Sequence, residues 1–179
     1  MADRRALEDM FQQYGCPDFV WAEPKSIVVA EWVRVKCMYG CPDYGRQACC
    51  PPNVPSVAEC RRFLDEYSMC AVFHFEKRVG APEDRRAWAA EIYERLLRLE
   101  RAVFLSGYEK AFMLPMSSCR NCPACVAARV ECRRPELARP TPEALAVDVF
   151  ATVRELGWHI EVLSDYDQAM NRYAFLLVE

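Results

Sequence analysis

Eight of the eleven cysteines fall in two short runs. In the first, Cys37, Cys41 and Cys50 form C-x3-C-x8-C, Cys49 adjoins Cys50, and Pro51 and Pro52 follow directly. In the second, Cys119-Arg-Asn-Cys122-Pro-Ala-Cys125 precedes Cys132, a C-x2-C-x2-C-x6-C pattern. Three thiols at two-residue gaps let a tight loop present thiolates to successive irons of a cubane, as bacterial 4Fe–4S ligand runs do. A zinc ribbon instead favours two C-x2-C knuckles separated by a longer span. The second run departs from the iron–sulfur pattern in its x6 gap and in having Arg133 where proline usually follows, which leaves its fourth position open.

The first run supplies fewer well-spaced thiols. Its C-x3-C opening matches radical S-adenosylmethionine enzymes, but their third cysteine follows after two residues and their barrel needs a longer chain, so that reading is excluded. Gly40 and Gly45 provide the turns a ligand loop needs. With three thiols only, a cubane here has one iron open to an outside ligand, and an exposed metal acts as a Lewis acid on a substrate. The alternatives are a fourth protein ligand or one larger site built from all these thiols. Cys16, inside a YGCPDF echo of YGCPDY at 39–44, and Cys49 are the candidates for that fourth ligand. Cys60 lies on an apolar helical stripe and Cys70 in an apolar strand, so both are expected in the core. His74 and His159 sit in strand patterns, where structural roles are expected.

Composition bounds what these thiols do. The cysteine count is odd, the 179-residue chain is long enough to bury a core, and MADRRALEDMF lacks the apolar segment of a secretory signal. A disulfide scaffold fits none of this, and in a reducing cytoplasm spaced thiols hold metals or do chemistry. The expected location is therefore cytoplasmic. No apolar stretch reaches the roughly 18 residues of a membrane span.

The net charge of −3 is uneven. Residues 34–46 carry +2, from Arg34, Lys36 and Arg46 against Asp43, and residues 119–139 carry +3, from five arginines against Glu131 and Glu136. The cysteine-rich segments are thus the basic parts of an acidic chain. They suit an acidic redox partner or an anionic small molecule, whereas the overall charge and scattered aromatics argue against nucleic acid.

The elements that must position these runs follow from periodicity. Residues 26–35 read as a strand leading into Cys37. Cys60, Phe63, Leu64 and Tyr67 share one helical face, and residues 69–75 are an apolar strand. Pro82 opens a long helix to Gly107, with Trp88, Ile92, Leu96, Leu99 and Val103 on one face and Glu91/Arg95 and Glu94/Arg98 pairs on its wet side. Residues 109–114 form a strand that delivers the chain to Cys119. Thr141 and Pro142 begin a helix through Leu145, Val149, Val153 and Leu156, which Gly157 ends, and strands at 158–163 and 173–178 follow. The expected architecture is a single α/β domain over residues 1–179, an α+β sandwich with a mixed sheet packed by helices and two cysteine-rich metal-binding loops.

The motifs VRVKCMYGCPDYGRQACCPP at 33–52, CRNCPAC with CRRPELARPTPEA at 119–144, and DVFATVRELGWHIEVL at 148–163 resemble the predicted metal-binding family called domain of unknown function 2284. The likeness spans roughly residues 27–179. In that family the cysteine before Pro-Pro is the recurrent one, which maps to Cys50 and makes Cys49 an extra. The resemblance implies Cys37, Cys41, Cys50, Cys119, Cys122, Cys125 and Cys132 as metal ligands and implies no reaction. Three functions follow as expectations: a two-cluster 4Fe–4S protein whose first cluster has an open iron, an electron carrier without its own substrate, or a zinc-stabilised interaction module.

Overall fold

Cys70–Lys77 and Met170–Leu177 carry near-continuous apolar runs, buried on both faces, and the two segments pair over their whole length. They are the central strands of the computed structural model, which describes residues 3–78, 80–165 and 168–179. In chain order the helices and strands are α1 (Arg4–Gln13), β1 (Phe19–Ala22), α2 (Glu31–Gly40), α3 (Val57–Asp65), β2 (Cys70–Lys77), α4 (Pro82–Leu105), β3 (Phe112–Leu114), α5 (Val149–Glu155) and β4 (Met170–Leu177). The sheet has the order β1-β2-β4-β3.

Side chains of successive strand residues point to opposite faces, and each face carries its own core. Ala71, Phe73, Met113, Ala174 and Leu176 meet Leu7 and Phe11 of α1 and Ile92, Leu96, Leu99 and Val103 of α4. On the other face Val72, Leu114, Phe175 and Leu177 meet Cys60 and Leu64 of α3 and Val149 and Val153 of α5. Burying each of these large side chains contributes about 1.5–3 kcal/mol. The chain is α+β, with helices on both faces of the sheet. Every pairing is antiparallel, where a mixed sheet was expected. Among the described residues no helix is long and apolar enough to cross a membrane.

The expected long helix forms as α4, with Pro82 at its start, Glu83 and Asp84 favourably placed in its first turn, and an Arg95–Glu91 pair at 2.7 Å. Ser56 caps α3 reciprocally with Glu59.

Three expectations fail. Residues 26–35 are no strand: Val29 makes a single bridge to Val147, and from Glu31 the chain is the helix α2. The valines at 33 and 35 do not share a face, since Val33 is buried and Val35 exposed. The helix expected from Thr141 to Leu156 is broken. Ala146 adopts a left-handed φ of 61°, the Val29–Val147 bridge follows, and Asp148 re-caps the chain by accepting from the Ala151 N–H at 2.9 Å. Residues 158–163 form no strand either. They are held across the sheet by ring contacts of Trp158 with His74 and Tyr173 and by the Tyr173 hydroxyl, which donates to the His159 carbonyl. Helix α1 and strand β1 were not anticipated.

Candidate metal centre

The first run hangs from the end of α2. Cys37 lies in its last turn and Cys41 caps it, so a helix end fixes two thiols one turn apart. The chain then turns tightly, with Tyr44 N–H donating to Cys41 O and Arg46 N–H to Asp43 O. Gly45, at φ 70°, donates its N–H to Pro51 O, which closes the loop and returns Cys50 toward Cys37 and Cys41. Burial, then the nearby Cys41 and Cys37 sulfurs, pushes the Cys50 thiol up to about 12. Burial and Cys41 likewise raise Cys37, and Arg34 partly opposes this.

Cys119 and burial, then Cys50 and Cys125, push the Cys49 thiol up. The Ala48 N–H donates to the Cys125 sulfur at 3.5 Å. Cys119 accepts from the Asn121 side-chain amide at 3.3 Å, and its polar surroundings, Cys49 foremost, hold its thiol well below the ordinary range. Cys122 and Cys132 are half-buried in the same loop, with Cys132 ending the short turn at Arg129–Glu131. The structure thus brings Cys119 and Cys125 to the turn that carries Cys49 and Cys50.

Side chains that spacing did not single out join the loops. The Asn53 amide donates to Gln47 O at 3.2 Å and to Ala127 O, while its oxygen accepts from Arg129 N–H at 3.3 Å. Tyr93 of α4 donates to Leu137 O and accepts from Arg139 N–H, each at 3.0 Å. Glu100, also on α4 and 5 % exposed, accepts from Arg139 Nε at 2.8 Å and from Met113 N–H at 3.0 Å. The signal for Glu100 was a carboxylate eight residues after Ile92 and four after Leu96, on the buried stripe. Arg139 and Arg34, which donates to Pro55 O and Ala144 O, are therefore built into the fold, while Arg120, Arg129, Arg133 and Arg134 are exposed.

The remaining thiols and imidazoles sit elsewhere. Cys16 is in the core beneath α1 and α4, where burial pushes its thiol up to about 11. Cys60 and Cys70 are fully buried in the opposite core. His74 joins Asp18 at 2.6 Å and Asn171 at 2.7 Å and stacks on Tyr173, while His159 is exposed beside Glu161. Both histidines lie away from the thiol groups in these structural and surface settings.

The donor set fits a thiolate-bound metal group. Hydrogen bonds reach the Cys119 and Cys125 sulfurs, of the kind that tune metal-bound thiolates. Two residues from Cys49, the buried Gln47 carries an amide oxygen that has no hydrogen-bond partner among the described residues. Among those residues no three His, Cys, Asp or Glu side chains stand closely enough to hold a single metal ion.

Helices on an antiparallel sheet, with two thiol-rich loops beside it, define an α+β protein. The chain belongs to the family described as predicted metal-binding protein (DUF2284), whose model matches residues 20–178. No curated protein and no solved structure matches it.

Proposed function

We propose that this protein carries two 4Fe–4S clusters, one on Cys37, Cys41 and Cys50 and the other on Cys119, Cys122, Cys125 and Cys132, with one iron of the first open to an outside ligand. The observation that carries the reading is the approach of the two cysteine runs, where the Ala48 N–H, next to Cys49 and Cys50, donates to the Cys125 sulfur at 3.5 Å. Bound there, such clusters supply one-electron chemistry, and an open iron adds Lewis acidity.

The chain's own residues then shape what approaches. A cleft of about 390 Å³ reaches Cys37 and Cys41 between Trp32, Val33, Val147 and Phe150. Its mainly apolar walls suit the hydrocarbon part of a small ligand, and Lys36 and Glu143 offer polar contacts. The exposed arginines of the second loop surround Val130, which is 92 % exposed, a combination that suits an acidic partner with an apolar anchor.

A second reading is a carrier with no substrate of its own. It is favoured by the closeness of the two runs, since the Ala48 N–H beside Cys49 donates to the Cys125 sulfur at 3.5 Å.

Anaerobic purification with iron, sulfide and zinc analysis tests the proposal. The expected result is about eight irons and eight acid-labile sulfides per chain. A small thiolate should then perturb the paramagnetic resonance of one cluster only; an unchanged spectrum favours the carrier. Two zincs with no sulfide would replace both readings with a zinc-stabilised interaction module.

A further inference from the structure

We infer that the cleft between α5, the segment 158–163 and the start of β4 binds a small organic acid with an apolar body, its carboxylate held by Arg172.

The cleft holds about 290 Å³. Met116, Val149, Phe150, Ile160, Leu163 and Met170 give it apolar walls, while Arg85 of α4 and Asn171 and Arg172 of β4 bring donors into it. That mixture, apolar lining with a few convergent polar groups, is what small-molecule sites share. Among the described residues the Arg172 guanidinium forms no hydrogen bond and no ion pair. Water still reaches Arg172, yet the cleft walls press it below the ordinary arginine range, with Glu143 opposing and Arg85 reinforcing the effect. A guanidinium crowded in this way gains from a carboxylate that accepts from its forked N–H groups.

Asn171 is set for the same ligand. Its side-chain oxygen meets His74 Nε2 at 2.7 Å, and Asp18 fixes that imidazole on its other side at 2.6 Å. The Asn171 NH2 group is thereby left as a donor for the ligand. Among the described lining residues two guanidiniums stand against Glu143, while Glu161 turns to His159 at 3.7 Å. This balance suits a monoanion rather than a phosphate dianion. Glu143, Val149 and Phe150 also line the cleft that reaches Cys37 and Cys41, so the two clefts share a wall. The inference itself needs no metal.

The test titrates full-length, anaerobically purified protein with sodium hexanoate by calorimetry, with hexanol and hexyl phosphate as probes of matched tail. Hexanoate should bind saturably, and about fourfold more tightly for each methylene added from butanoate. Hexanol should bind about tenfold more weakly or worse, because it offers Arg172 no charge. Arg172→Gln should cost hexanoate a similar factor and leave hexanol unchanged. Arg101→Gln, an exposed arginine of α4 outside the cleft, should change neither. No saturable hexanoate binding overturns the inference, as does hexanol binding equally well, and neither result depends on a variant folding. Full hexanoate affinity in Arg172→Gln, or tighter binding of the hexyl phosphate dianion, overturns it too. Iron is assayed on the titrated sample, so a lack of clusters counts against the two-cluster reading alone.

Discussion

At the scale of single residues, Asn53 does for the two cysteine loops what a cross-link would do. Its side-chain amide spans Gln47, Ala127 and Arg129 with three hydrogen bonds, two of them to a loop more than seventy residues away. Asn53→Ala should lower the unfolding free energy by about 1 kcal/mol, because it removes three hydrogen bonds of which only the one to Gln47 O is part-buried. Anaerobic urea titration measures this, and an unchanged midpoint would show that water replaces the amide at no cost. The cysteine positions were legible because ligand spacing is local. Asn53 and Tyr93 were not, since an amide or a phenol has no periodicity, and their partners at 127 and 137 lie far along the chain.

Among the elements, those that bury a regular stripe declare themselves. The face of α4 from Ile92 to Val103 and the apolar run of β2 needed only their own residues to be read. Helix α2 and the break at Ala146 depend instead on one another, because the Val29–Val147 bridge and the Asp148 N–H to Val28 O bond at 2.7 Å stop a strand on one side and a helix on the other. Residues 158–163 have strand-like composition but were placed by ring packing across the sheet. Since α1, α3, α4 and α5 all pack on the sheet through apolar side chains rather than through the cysteine loops, the scaffold should survive loss of a metal ligand. Cys122→Ser is expected to lose about four irons yet keep nearly all of its helical circular dichroism. Collapse of that signal would show that the metal nucleates the fold, as in small zinc domains.

For the molecule as a whole, a division of labour follows from Glu100. This one carboxylate receives both Met113 N–H, where the chain leaves the sheet, and Arg139, where it returns from the second cysteine loop. Everything between is a closed excursion with its ends pinned on α4. Closing a longer loop costs only about 0.6 kcal/mol per doubling of length, so two glycines inserted after the exposed Val130 should shift the melting temperature by no more than a few degrees. Glu100→Ala should be far more damaging than the insertion, because it leaves the Arg139 guanidinium, 21 % exposed, without its carboxylate. Calorimetry of both variants checks the contrast; equal damage would mean that loop length, not the pinned ends, sets stability. The pinning makes the second loop an exchangeable cassette. Its arginines, its exposed apolar tip and even its length are free to diverge and acquire new partners while the sheet beneath is inherited unchanged.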